Sequence, residues 1–239
     1  MPVDDDDIDV GFNFRDDPDY RGDADRDSRK LKRWHQRLWN KALPDGRVVE
    51  CVVDPATGGL VHGGVPVSSD TIATTHSRYS GAKSLWAEFA EEEQEAYERS
   101  IYTVSAFIIF PVRPQSLNQR RGTTWAISDR FDLTLECIRQ HYLGMTGSPL
   151  ADVLAVDAHY FRLFGEGLTG FITYVEFFHL QDLVADGTIR WFDEFDGNAW
   201  DFTSPPLPQS EASYRRYLSN VAAFVAARGE RIDAWRKAA

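Results

Sequence analysis

Cysteine is scarce in this chain and follows no pattern. Cys51 and Cys137 are the only two in 239 residues. They are too few and too far apart for a disulfide framework or a four-ligand zinc site, and two free thiols fit a reducing cytoplasm. The six histidines, His35, His62, His76, His141, His159 and His179, never fall four apart, and no His-Glu-x-x-His occurs. No metal is therefore expected. The loop Asp193-Glu-Phe-Asp-Gly-Asn198 lacks the first and last ligands of a calcium loop, which fall on Phe192 and Thr203. No apolar run approaches the ~18 residues of a membrane helix; the most apolar segment, 104–112, is too short. The N-terminus is acidic, with no apolar stretch of the kind a signal peptide carries. Gly-x-Ser-x-Gly is absent, and neither a phosphate loop nor a Gly-x-Gly-x-x-Gly turn opens a helix. These absences lead to an expectation of no cofactor, no membrane and a cytoplasmic location.

Net charge is −11, unevenly placed: residues 1–27 hold eleven Asp and three Arg, a local charge of −8. Arg29, Lys30, Lys32, Arg33, Arg37 and Lys41 follow with no acid among them, and 99–128 carries four Arg and no acid. A basic footprint over the whole chain is missing, which argues against nucleic acid as a partner. The acidic segment reads as a tethered counter-charge for one of the local positive patches. Hydrophobic content of 43% with 13% aromatic describes a folded chain long enough for a real core.

Residues 1–9 are expected to be disordered, with one domain over 10–239. Phe12 and Phe14 alternate as a short edge strand would. Ser28 caps a helix to about Lys41, with Leu31, Trp34 and Leu38 inward. Segments 47–53, 60–62 and 65–73 are β-like, separated by Gly58-Gly59 and Gly63-Gly64, which predicts an antiparallel meander. Segment 101–110 reads as the central strand, ended by Pro111 and Pro114, and 115–124 as a polar loop. Ser148-Pro149 opens a further helix, 171–184 is a buried one, 188–192 is a last strand, and Ser210 caps the final helix. The fold class is α+β: a small, mainly antiparallel sheet packed by helices mostly from the second half.

Segment 127–142 predicts a helix with three faces at about 100° per residue. Ile127, Phe131, Leu135, Ile138 and Tyr142 form the apolar stripe. Asp132, Glu136 and Arg139 lie away from it, in solvent, with Glu136 and Arg139 paired. Arg130, Thr134, Cys137 and His141 border the stripe, so Arg130 needs a partner; Asp182, on the core face of the later helix, also needs one, which Arg130, His141, helix-end backbone or solvent would supply. Cys137 and His141 sit one turn apart, but a core-facing thiol is ordinarily inert.

Arg113, Asn118, Arg120 and Arg121 lead directly into that helix. Its start supplies free N–H groups, so the expected ligand site is Asn118, Arg121, Asp129 and Arg130, holding an anionic small molecule such as a nucleotide or phosphorylated compound. A protein-interaction or defence-related accessory factor is the alternative; its partner surfaces would be the acidic arm, the Pro-rich loop and exposed aromatic residues. A ribonuclease of the HEPN type is disfavoured. Arg139 and His141 point to nearly opposite faces, and Arg130 and His141 stand roughly 16 Å apart along the helix. Whether the chain is an enzyme, and its oligomeric state, are left open by the sequence.

Asp129-Arg-Phe-Asp-Leu-Thr-Leu-Glu-Cys-Ile-Arg-Gln-His-Tyr142, Phe177-Phe-His-Leu-Gln-Asp-Leu-Val184 and Leu38-Trp-Asn-Lys-Ala-Leu-Pro-Asp-Gly46 resemble a family of small bacterial proteins of unknown function. The resemblance runs from about Phe12 to the last helix. It implies a soluble bacterial protein and carries no catalytic residue with it.

Overall fold

Buried and more exposed residues alternate along Val65–Thr71, with Val65, Val67 and Ser69 buried, because successive side chains of a strand face opposite sides of a sheet. The computed structural model, which describes residues 7–76, 79–192 and 201–238, places this strand inside a four-stranded meander. In chain order the elements are α1 (Ala24–Asp27), α2 (Arg29–Trp39), β1 (Lys41–Ala42), β2 (Val48–Val49), β3 (Cys51–Val53), β4 (Leu60–His62), β5 (Val65–Thr71), α3 (Ser80–Ala87), α4 (Glu91–Ile101) and β6 (Phe107–Pro111). They continue with α5 (Leu117–Thr123), α6 (Phe131–Tyr142), α7 (Ala151–Val156), α8 (Ala158–Phe161), α9 (Gly167–Phe177), β7 (Val184–Ala185), β8 (Thr188–Ile189) and α10 (Glu211–Ala238). β3, β4, β5 and β6 pair antiparallel in that order, and two small hairpins, β1–β2 and β7–β8, stand apart. The α+β expectation and the meander both hold.

Three segments differ from the sequence reading. Segment 101–110 is the end of α4, a 3-10 turn and then β6. β6 lies at the edge of the sheet, and its unbroken apolar run reflects helices on both faces rather than strands on both sides. Segment 115–124 is helical: the Ser116 hydroxyl caps α5 by accepting from the Gln119 N–H at 3.3 Å. Phe12 and Phe14 form no strand. Asn13 accepts from the Arg15 N–H and turns the chain into a 3-10 turn at Phe14–Asp16, so that Phe14 packs edge-on to Trp34 and Phe107.

The acidic segment behaves as a counter-charge. Asp19 pairs with Arg29, Asp16 with Arg99 and Asp7 with Arg236. Ile8 is buried, so the chain is anchored from there; the first six residues, like the loop at 193–198, lie outside the described residues. No helix among the described residues is long and apolar enough to cross a membrane.

Candidate functional site

The polar half of β5 carries chemistry to both faces of the sheet. Ser69 points towards α2, where its hydroxyl lies 2.8 Å from His35 Nε2. Ser68 and Asp70 point the other way, towards α5. Asn118 donates from Nδ2 to Ser68 Oγ at 2.8 Å and to the Ser69 carbonyl at 3.0 Å. Arg121 is fully buried, between the rings of Phe110 and Phe131. It donates to Asp70 Oδ2 at 2.6 Å, the Thr71 carbonyl at 2.8 Å, Thr134 Oγ1 at 3.2 Å and the Asp129 carbonyl at 2.9 Å.

The four residues expected as one ligand site are thus split. Arg121 joins Asp70 and Asp129, while Asn118 is held separately by Ser68 and the Ser69 carbonyl on the same strand. Arg130 belongs to another network: its guanidinium grips Asp132 and donates to the Pro206 carbonyl at 2.6 Å. Every guanidinium nitrogen of Arg121 and Arg130 is engaged inside the protein. Asp132, expected in solvent, is fully buried, and it accepts from the Phe192 N–H at 2.9 Å because the chain after β8 crosses that face of α6. Glu136 pairs with Arg139 as expected but is also buried. Asp182 partners neither Arg130 nor His141; it forms a bidentate pair with Arg231 at 2.6 and 2.7 Å.

On the other face the hydrogen bonds have one direction. An indole N–H only donates, so His35 Nδ1 must accept from Trp39 Nε1 at 2.8 Å. His35 Nε2 therefore carries the proton and donates to Ser69. Burial, aided by Arg228 and His62, pushes His35 down to about 3 and keeps it neutral. A histidine in this tautomer cannot take the Ser69 proton, so Ser69 and His35 are no hydrolytic pair. The Ser69 hydroxyl proton is left to turn towards Asp25.

Asp25 is the group that local sequence patterns hid. It stands in α1, whose first turn Asp23 caps by accepting from the Asp25 and Arg26 N–H groups. The residue as a whole is half-buried, but Oδ1 is enclosed and has no hydrogen-bond partner. Burial first, and the nearby Asp70 second, push its carboxyl up to about 8, against the weaker pull of Ser69. Burial raises Asp70 as well, although Arg121 pulls the other way. Asp25 borders a cavity of about 320 Å³, with Asp23, Thr71, Thr74, Glu98 and Tyr102 among its walls. Among the described residues no three of His, Cys, Asp and Glu converge as a metal site requires.

Sequence reasoning missed this place because Asp25 lies in an acidic run that looks solvated. A usable signal was Ser68-Ser-Asp-Thr71, four polar residues finishing an otherwise apolar strand. The segment expected to bind a ligand does border a groove, of about 460 Å³, between Trp125, Ser128 and Pro205, Pro206 and Pro208.

The family described as "Family of unknown function (DUF6994)" matches residues 8–232. No curated protein and no solved structure matches the chain.

Proposed function

We propose, for a chain that belongs to DUF6994, a family of unknown function, that the cavity between α1 and α4 binds a small polar molecule and that Asp25 gives or takes a proton there. One observation carries the reading: a carboxyl with an enclosed, unpartnered oxygen, held protonated near neutrality, at the wall of a cavity large enough for a ligand. Carboxyls pushed up in this way supply acid–base catalysis at ordinary pH. The walls favour a cationic or polyhydroxylated ligand. They offer Asp23, Asp25 and Glu98 with the hydroxyls of Thr71, Thr74 and Tyr102, while Arg15, the one bordering cation among the described residues, is tied to Glu95 and Glu98. Two free, buried thiols support a reducing, cytoplasmic setting.

The test is Asp25→Asn, which keeps the shape and removes the titration. Calorimetric titration with a panel of amino sugars, polyols and small amines should find ligands that bind the wild type and bind the variant at least about tenfold more weakly. A variant that binds every hit as tightly as the wild type overturns the proposal.

The same substitution has a stability signature. Unfolded aspartate titrates near 3.8, and Asp25 in the fold near 8. The folded state holds the proton more tightly, so this group's contribution is fully favourable below about pH 4 and is lost as pH rises from there through about 8. Asp25→Asn should flatten that fall and be more stable than wild type at pH 8 by about 2 kcal/mol or more. One pKa unit is worth ~1.4 kcal/mol, and the partial exposure of the residue discounts the full shift. Urea unfolding from pH 4 to 9 measures it; parallel pH profiles would reject the assigned protonation.

A second reading keeps an anionic ligand, a nucleotide or phosphorylated compound, at segment 113–130. The groove beside Trp125 favours it, together with Ser128 and Asp129, two consecutive non-glycine residues with φ of 45° and 65°. Trp125, 60% exposed, would be the stacking platform. Nucleotides should then raise the wild-type Tm and leave Trp125→Ala unmoved. No shift in the wild type, or an equal one in both, rejects this reading.

A further inference from the structure

Lys41 begins β1 and stands among aromatic rings. Its Nζ lies 4.7 Å from the ring centre of Phe177, 4.9 Å from that of Trp235 and 5.2 Å from that of Trp39. Nζ is also 3.1 Å from His179 Nε2. Among the described residues no carboxylate pairs with it. Asp182, just beyond α9, is taken by Arg231, and the neighbouring cation Arg228 is itself buried and donates to backbone carbonyls.

His179 reaches this position by an unusual backbone. α9 ends in a Schellman turn, with the Leu180 N–H donating to the Val175 carbonyl at 2.8 Å and the His179 N–H to the Glu176 carbonyl at 3.2 Å. The residue after the cap in such a turn is left-handed and ordinarily glycine. Here it is a histidine with φ of 56°. The turn would form more easily with glycine, and what the histidine adds is an imidazole against Lys41.

We infer that Lys41 is a reactive amine that condenses with a small aldehyde bearing a flat apolar body, with His179 as its proton acceptor and Trp235 as the surface on which that body rests. Lys41 and Trp235 are the half-buried, reachable members of the cluster, whereas Trp39, Phe177 and His179 are buried. The amine nitrogen attacks the carbonyl carbon and forms the C–N bond. The proton it loses passes through His179 Nε2 to the carbonyl oxygen. The carbinolamine then releases one water and leaves the imine. Burial, with Arg228 adding repulsion, pushes Lys41 down to about 7, so the amine is substantially neutral at physiological pH. Burial, Lys41 and Arg228 push His179 to about 3, so its imidazole is neutral, and the tautomer with the proton on Nδ1 has Nε2 open to accept.

The chain has five lysines, Lys30, Lys32, Lys41, Lys83 and Lys237, so one labelling experiment resolves them all. The full chain is incubated with benzaldehyde and cyanoborohydride at pH 7, and the reduced adducts are mapped by mass spectrometry. Lys41 should label at least about tenfold faster than any other lysine, and its rate should level off above pH ~8 while the others rise towards pH ~10. Lys41→Arg should lose the fast adduct. His179→Gly suits the backbone there and should stay folded by circular dichroism, yet slow the Lys41 adduct several-fold. Equal labelling of the five lysines, a Lys41 profile rising to pH ~10 like the rest, or an unchanged rate in His179→Gly overturns the inference.

Discussion

Arg130→Ala should lower the unfolding free energy by about 3–5 kcal/mol. The side chains of Arg130 and Asp132 have no solvent exposure at all. Removing the guanidinium leaves a buried carboxylate with two backbone N–H partners, those of Phe192 at 2.9 Å and Leu133 at 3.0 Å. It also strands the Pro206 carbonyl, which accepts from Arg130 at 2.6 Å, and empties the space above the Tyr217 ring, 5.1 Å from the guanidinium carbon. A buried pair is expensive to break and much cheaper to replace as a whole, because desolvation of both ions consumes most of their attraction. The double variant Arg130→Met, Asp132→Leu should therefore be less destabilised than the sum of its single changes by about 2 kcal/mol or more. Urea unfolding of the four proteins gives the cycle. A loss under about 1 kcal/mol for Arg130→Ala would mean that the pair is solvated and that the chain around Pro206 does not seal it.

That pair also shows where the sequence stops being readable. The need for a buried partner to Arg130 followed from its place beside the apolar stripe, but its identity did not. Two residues apart on a helix, side chains diverge by about 200°. Arg130 has φ −73° and ψ 126°, an extended backbone at the cap position, so it is not on the helical wheel and can fold back over Asp132. Counting faces also treats a helix as if it stood alone. The wheel places Asp132 in solvent because nothing local predicts that the chain after β8 crosses it.

What local chemistry determines was legible: the meander with its glycine turns, the caps at Ser28 and Ser210, and the stripe of the last helix. In the candidate site, Arg121 was singled out, but as a ligand-holding residue of a polar loop and not as the buried partner of Asp70. Asp70 and Asp25 were not singled out, because they are brought together by strand pairing and by a short helix inside an acidic run. Burial of a titratable group is a non-local property, and here it depends on contacts between residues 45 positions apart in the chain.

Arg228→Met should cost about 3–5 kcal/mol, for a different reason from Arg130. Among the described residues no acid pairs with Arg228. It is fully buried and donates to three carbonyls, Phe178 at 3.0 Å, Ser105 at 2.5 Å and Phe107 at 2.9 Å. Those oxygens lie at the end of α9, in the 3-10 turn before β6 and at the start of β6, so one side chain of α10 ties three separate pieces of backbone together. Burial and the lack of a counter-ion pull its pKa down, and its NH2 has no partner, so the charge itself is unfavourable here. Methionine relieves that charge but leaves three buried carbonyls without donors, each worth about 1–3 kcal/mol. The carbonyl loss should win, because a guanidinium that stays in place without an acid is held there by what it donates to. Arg228→Lys should be no better, since one ammonium on a flexible stem cannot span the positions that the planar fork reaches. Thermal and urea unfolding decide between the outcomes: a methionine variant as stable as wild type would mean that the burial of the charge outweighs its three hydrogen bonds. The effect should also reach Lys41. Removing the repulsion from Arg228 raises the pKa of the amine, so in the folded fraction of Arg228→Met its labelling profile should move to higher pH.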